Sequence, residues 1–145
     1  MIKQLFSSED ISKDLGLLLL RLGVGLSMAI FHGYDKIIGG VDRWTALGEN
    51  MANLNITFLP VFWGFMAAFS EFVGSSLLVV GILFRPMTFL LAFNMFVAII
   101  SHLNRPEGEP GAGWSGASHA IELLSVYLCL MFAGPGKFSL TKREK

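Results

Sequence analysis

The chain has 145 residues, of which 53% are apolar and only 15% are charged, and its formal net charge is zero. A soluble domain usually needs about 25% charged residues to cover its surface, so this composition argues against one. A mean hydropathy of +0.60 favours a membrane protein instead. The high apolar content also excludes a disordered chain. The zero net charge disfavours nucleic-acid binding, because no excess of cations is present to neutralise phosphates.

Four apolar segments are long enough to cross a bilayer as helices. A helix rises about 1.5 Å per residue, so about 20 residues cross the roughly 30 Å hydrocarbon layer. We predict spans at residues 15–34, 58–84, 86–103 and 117–134. Pro86 favours a helix start, because the first turn does not need its missing N–H, and the Pro- and Gly-rich residues 104–116 predict a loop.

A short amphipathic segment lies between the first two predicted spans. Apolar residues recur there at helical spacing, namely Trp44, Leu47, Met51 and Leu54. This pattern favours a short helix in the membrane interface with Asp42 as its N-cap, although a plain loop outside the membrane fits nearly as well. The predicted fold class is therefore all-α: an integral membrane four-helix bundle with a short interfacial segment between its first two helices.

The cations are distributed unevenly between the two sides of the predicted bundle. The N-terminal segment, the turn between the second and third spans and the tail carry seven lysines and arginines, whereas the two other loops carry three. By the positive-inside rule, both termini are expected in the cytoplasm. The predicted organisation is a cytoplasmic segment at residues 1–14, one membrane domain at 15–136 and a basic cytoplasmic tail at 137–145.

Ionisable residues inside the predicted spans need partners, because a charge at the centre of a membrane helix costs roughly 2.5–3.5 kcal/mol. Counting about 1.5 Å per residue from the predicted outer ends places Arg21, Glu71 and Asn94 in one layer near mid-membrane. We predict an Arg21–Glu71 ion pair, with further hydrogen bonds from Asn94. A purely structural clamp is one interpretation of this set, since buried ionic groups often fix the register of helices rather than do chemistry.

A second polar layer is predicted closer to the outer edge, where the same arithmetic places Glu122, His102 and His32. We expect Glu122 to be a neutral acid or to share a proton with His102 or His32, which suits proton exchange with a quinone-like head group or a small solute. Each predicted span carries one polar or small stripe, and all four stripes are expected to face a common axis. In the fourth span the stripe is Ser118, Glu122, Ser125 and Cys129. Three histidines and two glutamates have the right ligand types for zinc or iron, but no spacing marks a site, so no metal ligand is assigned.

Several short motifs resemble the DoxX family of small membrane proteins. They are Arg21-Leu22, Gly25, His32-Gly33 and Lys36, then Glu71-Phe72-Val73-Gly74 and Arg85-Pro86, then Asn94-Met95 and His102, and finally Glu122-Leu123 and Gly134-Pro135-Gly136. The resemblance covers about residues 15–140, and one departure is Thr141, where the family often places an aspartate. It implies a four-helix inner-membrane protein, with some relatives associated with quinone-linked sulfur oxidation or with oxidative-stress assemblies.

The favoured functional hypothesis is an accessory component of a membrane redox or quinone-linked system, with an intramembrane polar pocket that opens outward. Glu122, His102 and His32 are the candidates for proton handling. No haem, flavin or iron–sulfur motif is evident, so a bound quinone or a membrane redox partner subunit would carry the electrons. Whether the chain is itself an oxidoreductase stays open. The alternatives are a non-catalytic membrane scaffold or assembly factor, and a small-solute or proton conduit.

Overall fold

A computed structural model describes residues 11–141. The remainder of the predicted N-terminal segment and of the basic tail, residues 1–10 and 142–145, lies outside the described residues. Five helices follow in chain order: α1 Lys13–Ile38, α2 Gly40–Gly48, α3 Pro60–Val80, α4 Phe84–Leu103 and α5 Gly113–Ala133. A 3₁₀ turn at Glu49–Leu54 continues α2. All helices except α2 are long and apolar enough to cross a membrane, so the four predicted spans and the all-α class are confirmed.

The membrane helices α1 and α3 each contain a π-helical stretch, at Met28–Gly33 and Ser70–Gly74. The two stretches pack against each other. Gly33 lies at the contact, where a Cβ atom would be 2.5 Å from the backbone nitrogen of Phe72 and 2.7 Å from the carbonyl oxygen of Glu71. A π stretch rotates the helix beyond it relative to a regular α-helix, and such stretches occur frequently at functional sites.

Gly33→Ala is expected to lower the free energy of unfolding by about 1–3 kcal/mol, because the new methyl group would push two backbones apart. Gly23→Ala is the matched control on the same helix, since a Cβ atom there meets nothing within 4 Å. An alanine in a helix is favoured over glycine by roughly 0.5–1 kcal/mol, so the control should be as stable as the parent or more so. Thermal unfolding in detergent, followed by circular dichroism, measures both. Equal melting temperatures for the two variants would contradict the close packing at Gly33.

The short helix α2 lies against the N-terminal half of α3, which confirms a helix rather than a loop between the first two spans. Glycines allow this contact: a Cβ atom on Gly64 would lie 1.7 Å from the carbonyl oxygen of Trp44. The Trp44 indole donates a hydrogen bond of 2.9 Å to the carbonyl of Lys36, which ties α2 to the end of α1. The predicted N-cap is wrong, because α2 begins at Gly40 and Asp42 lies in its first turn.

The bundle is closed along three helix pairs and open along the fourth. α1 packs on α3, α3 on α4 and α4 on α5, whereas α1 and α5 are separated by a cleft. The centre is filled by side chains from three helices, including Leu78, Leu91, Tyr127 and Leu130, all of which are fully buried. The outward faces of α1, α3 and α4 carry large apolar side chains such as Leu19, Phe65 and Phe89, as expected for helices that contact lipid.

Candidate functional site

The centre of the candidate site is a buried ion pair between α1 and α3. Lys36 Nζ lies 2.7 Å from Glu71 Oε1 and 2.6 Å from Oε2. Asn94 of α4 donates a further hydrogen bond of 2.8 Å to Oε1. Glu71 is only 3% exposed, so its charge depends on these two partners. Three helices thus meet on one carboxylate.

The predicted hydrogen bond from Asn94 to Glu71 is confirmed, but the predicted Arg21–Glu71 ion pair is wrong. Glu71 lies level with Gly33, which is 12 residues beyond Arg21 on α1 and therefore about 18 Å further along the helix. One reason why the depth arithmetic failed is that α1 continues to Ile38, four residues or about 6 Å past residue 34. Arg21 is consequently deeper than the count from the outer end had indicated.

Arg21 instead binds carbonyl groups at the far end of the bundle. Its guanidinium donates to Leu78 O at 3.2 Å, to Val79 O at 2.7 Å and to Phe138 O at 3.0 Å, and it also contacts Pro135 O. The last carbonyls of a helix have no partner within it, and they carry the negative end of the helix dipole. Arg21 therefore caps the end of α3.

The segment after α5 closes over the same helix end. The backbone N–H of Leu140 donates to Val80 O at 3.0 Å, and the hydroxyl of Thr141 donates to Gly81 O at 2.7 Å. Gly81 adopts a left-handed conformation with φ of 77°, which ends α3 and turns its last carbonyls toward these donors. Arg21 and this segment together cap the C-terminal end of α3, at the end of the bundle opposite to the polar site. We call this arrangement the Arg21 cap.

All three histidines of the chain line one cavity with the Lys36–Glu71 pair. The cavity has a volume of about 220 Å³ and lies between α1, α3, α4 and α5. The rings of His32 and His119 are 5.7 Å apart between centroids. His102 Nδ1 lies 2.6 Å from the carbonyl oxygen of Gly111, which can only accept, so Nδ1 carries the hydrogen. The second ring nitrogen of His102 is then the one available to another group.

Two further spaces adjoin this polar cavity. A volume of about 200 Å³ on the side of α2 shares Lys36, Glu71 and His102 with it. On the other side, the cleft of about 250 Å³ between α1 and α5 shares His32 and His119. The rest of the cleft lining is mostly apolar: Leu19, Leu20, Gly23, Val24, Ser27, Met28 and Leu123. We call this space the lateral cleft; it runs from the outside of the bundle to the polar cavity.

Glu122 does not line the polar cavity, so the prediction that it shares a proton with His102 or His32 there is wrong. The side of α5 that packs into the bundle carries Ala117, Ala120, Tyr127 and Leu130. Glu122 lies on the opposite side of α5 and is exposed, as are Ser118, Ser125 and Cys129. The expected inward orientation of this stripe is wrong, whereas Glu71, expected to belong to a separate layer, lies beside the histidines.

Sequence reasoning missed Lys36 as the partner of Glu71. A usable signal existed, because Lys36 lies four residues after His32 and so occupies the same face of α1 one turn further on. Within residues 11–141, no three His, Cys, Asp or Glu side chains are grouped closely enough to hold a metal ion.

A family model described as DoxX matches residues 16–103, which is more than half of the chain. The matched range contains Arg21, the Lys36–Glu71 pair, Asn94 and His102. No curated protein and no solved structure matches this chain.

Proposed function

We propose a function that proceeds from one premise: the chain belongs to the DoxX family. The protein is an accessory component of a quinone-linked redox system, and it binds a quinone with the head group in the polar cavity and the tail in the lateral cleft. One observation carries this proposal: an apolar cleft at the outside of the bundle adjoins a cavity lined by an ion pair and three histidines. A quinone has the same two parts, an apolar tail and a ring with carbonyl oxygens.

The hydrogen-bonding groups of the cavity support a carbonyl-bearing ligand. The side chain of Lys36 is 22% exposed and that of Glu71 is 4% exposed, so the ammonium group is reachable from the cavity while the carboxylate is covered. An ammonium group has three donors, of which Glu71 does not use all. The Lys36 ammonium group therefore suits a quinone carbonyl oxygen, which only accepts hydrogen bonds. His102, held through the N–H at Nδ1, presents Nε2, which accepts in the neutral ring and therefore suits a quinol hydroxyl.

Quinone reduction to a quinol takes up two electrons and two protons. His32 and His102 are proposed to transfer the protons, because an imidazole nitrogen can take up a proton and pass it on. Glu71 holds Lys36 in place, and Asn94 orients Glu71. The electrons come from a membrane redox partner subunit. Glu122, which lies outside the cavity, takes no part in this proposed proton transfer.

The proposed location is the inner membrane, with both termini in the cytoplasm. It is supported by the excess of cations in residues 1–14, at the α3–α4 turn and in residues 137–145. In this orientation the polar cavity and α2 lie in the outer half of the membrane, and the Arg21 cap lies in the cytoplasmic half. A ligand would enter the lateral cleft from within the bilayer.

Quinone binding can be tested with decylubiquinone and purified protein in nanodiscs, using empty nanodiscs to subtract partitioning into lipid. Glu71→Gln and His102→Ala are each expected to raise Kd at least about tenfold, which corresponds to about 1.4 kcal/mol of lost binding free energy. Glu122→Gln is the matched control, because it makes the same chemical change as Glu71→Gln on the outer face of α5. Its Kd should stay within about twofold of the parent value.

Two outcomes would overturn the quinone proposal: no saturable binding by the parent protein, or the same loss of affinity for Glu122→Gln as for Glu71→Gln. Calorimetry gives the Kd values directly. Circular dichroism of each variant establishes that it is folded, so that lost binding is attributed to the cavity.

A non-catalytic membrane scaffold is the second candidate, and the exposed polar face of α5 favours it. In this case the function depends on Glu122 and not on the cavity. Growth under oxidative stress distinguishes the two. Loss of protection with Glu122→Leu, but not with His102→Ala, would indicate the scaffold.

A further inference from the structure

His32 of α1 and His119 of α5 lie on the two sides of the lateral cleft. His32 is six residues before the end of α1 at Ile38. His119 is six residues after the start of α5 at Gly113. Both imidazoles are therefore about 9 Å from the outer ends of their helices, at the same depth in the bilayer. Both residues are exposed, and their ring centroids are 5.7 Å apart, so the two rings are close enough to share a ligand.

The nitrogens of these two rings are not used by the protein itself. Among residues 11–141, neither ring makes a hydrogen bond to a protein group, whereas His102 is held by the carbonyl of Gly111. An imidazole within the hydrocarbon layer needs a partner for its polar nitrogens. With metal–nitrogen distances of about 2.0–2.1 Å, two imidazoles on one ion have their centroids about 5–6.5 Å apart. The separation of the rings of His32 and His119 falls in this range, so one ion can bridge them.

A thioether completes this set of metal-binding groups. Met28 is four residues before His32 in the same π stretch, and it is 3% exposed. Like the two histidines, it lines both the lateral cleft and the polar cavity. Imidazole binds several transition metals, whereas a thioether selects Cu(I). The methionine side chain is unbranched and adaptable, so its sulfur can turn toward an ion between the two rings.

The other groups of the polar cavity disfavour a divalent ion. The ammonium group of Lys36 adds a positive charge to the lining. The carboxylate of Glu71 is already bound by Lys36 and Asn94, so it is not free to bind a metal. Two imidazoles and a thioether are uncharged ligands, and they suit a singly charged, soft ion.

We propose that Met28, His32 and His119 bind one Cu(I) ion at the point where the lateral cleft meets the polar cavity. Because the cleft separates α1 from α5, both exposed imidazoles can turn toward the ion without disturbing the core. The bound ion links α1 to α5 near the outer ends of the two helices. His32 also belongs to the proposed proton transfer, and with the ion bound that transfer is left to His102.

Copper binding is tested with purified, tag-free protein in nanodiscs, under reducing and anaerobic conditions, with empty nanodiscs as the blank. Every protein carries Cys129→Ser, because Cys129 is exposed and its thiol is itself a soft ligand. Bicinchoninate forms a coloured complex with Cu(I), and loss of this colour reports transfer of the ion to the protein. We expect one Cu(I) ion per chain. His119→Ala and Met28→Leu should each raise Kd at least about tenfold.

The chain offers a matched control for each substitution. His102→Ala removes a histidine that, within residues 11–141, is not grouped with the other two closely enough to hold a metal ion. Met66→Leu makes the same change as Met28→Leu in a separate space between α2, α3 and α4. Both controls should keep Kd within about twofold of the parent value. X-ray absorption at the copper edge gives a second readout, with nitrogen and sulfur ligands in the parent and no sulfur ligand in Met28→Leu.

Four results would overturn the proposal: no more copper bound than by empty nanodiscs, an unchanged Kd in His119→Ala or Met28→Leu, the same loss of affinity in His102→Ala as in His119→Ala, or displacement of the copper by equimolar Zn(II). His119 is exposed and Met28→Leu nearly conserves volume, so both variants should fold, which circular dichroism checks. No quinone is present, so the outcome is independent of the proposed function.

Discussion

Arg21→Leu is expected to lower the free energy of unfolding by about 3–5 kcal/mol, because it removes the side-chain donor of four buried or partly buried carbonyl groups. Each unsatisfied buried acceptor costs about 1–3 kcal/mol. The substitution also removes the desolvation penalty of burying the guanidinium, but this gain offsets only part of the sum. Arg21 is 1% exposed, so water cannot replace it unless the segment after α5 moves away from the end of α3. Unfolding by SDS in mixed micelles, followed by circular dichroism, measures the change.

Two substitutions serve as controls for Arg21→Leu. Arg21→Lys keeps the charge but not the planar fork that reaches α3 and the segment after α5 together, so an intermediate loss is expected. Arg85→Leu removes an exposed arginine at the nearby α3–α4 turn and should change stability by less than about 0.5 kcal/mol. Equal losses for Arg21→Leu and Arg85→Leu would contradict the capping role of Arg21.

The same measurement distinguishes the capping role of Arg21 from the Arg21–Glu71 ion pair that was expected from the sequence. If Arg21 and Glu71 were paired, removing both would cost less than the sum of the single losses. Because they have separate partners, Arg21→Leu and Glu71→Gln should be additive within about 0.5 kcal/mol. A coupling energy above about 1 kcal/mol would indicate that Arg21 and Glu71 do interact.

The membrane helices could be predicted from the sequence because their signal is local. A run of about 20 apolar residues suffices to identify a span, whatever the rest of the chain does. The α2 segment was less certain, because its amphipathic pattern fits a short helix or a surface loop. What decides between them is the contact of Gly64 with Trp44, two positions that lie apart in sequence.

The partners of Arg21 and Glu71 could not be predicted, because they depend on the register between helices. Counting residues from a span end assumes regular helices with known ends, whereas α1 runs past residue 34 and both α1 and α3 contain π stretches. The acceptors of Arg21 are backbone carbonyls, which every residue type has, so no side chain in the sequence marks them.

The orientation of Glu122 shows a different limit. The rule that a membrane carboxyl group needs a polar partner holds for Glu71, whose partners lie within the bundle. It does not say whether the partner belongs to the same copy of the chain. The small and apolar residues on the packed side of α5 made a close contact with α4 possible, and this turned Glu122 outward.

Lys36→Met is expected to be more destabilising than the double variant Lys36→Met/Glu71→Gln. Breaking a buried pair by removing one partner costs about 3–5 kcal/mol, because the remaining charge is buried without compensation. The single variant leaves Glu71 with Asn94 as its only side-chain partner among the described residues. The double variant leaves no uncompensated charge, so its loss should be about 1–2 kcal/mol. SDS unfolding of the four proteins in the cycle measures these differences.

The double variant also separates a structural role of the pair from a functional one. Losses that simply add would show that Lys36 and Glu71 do not interact, against the distances of 2.6 and 2.7 Å between their charged atoms. With coupling established, the double variant is a folded protein whose cavity lacks both charges. Normal decylubiquinone binding by this protein would make the pair a clamp between α1 and α3. At least about tenfold weaker binding would place the ammonium group of Lys36 in direct contact with the ligand.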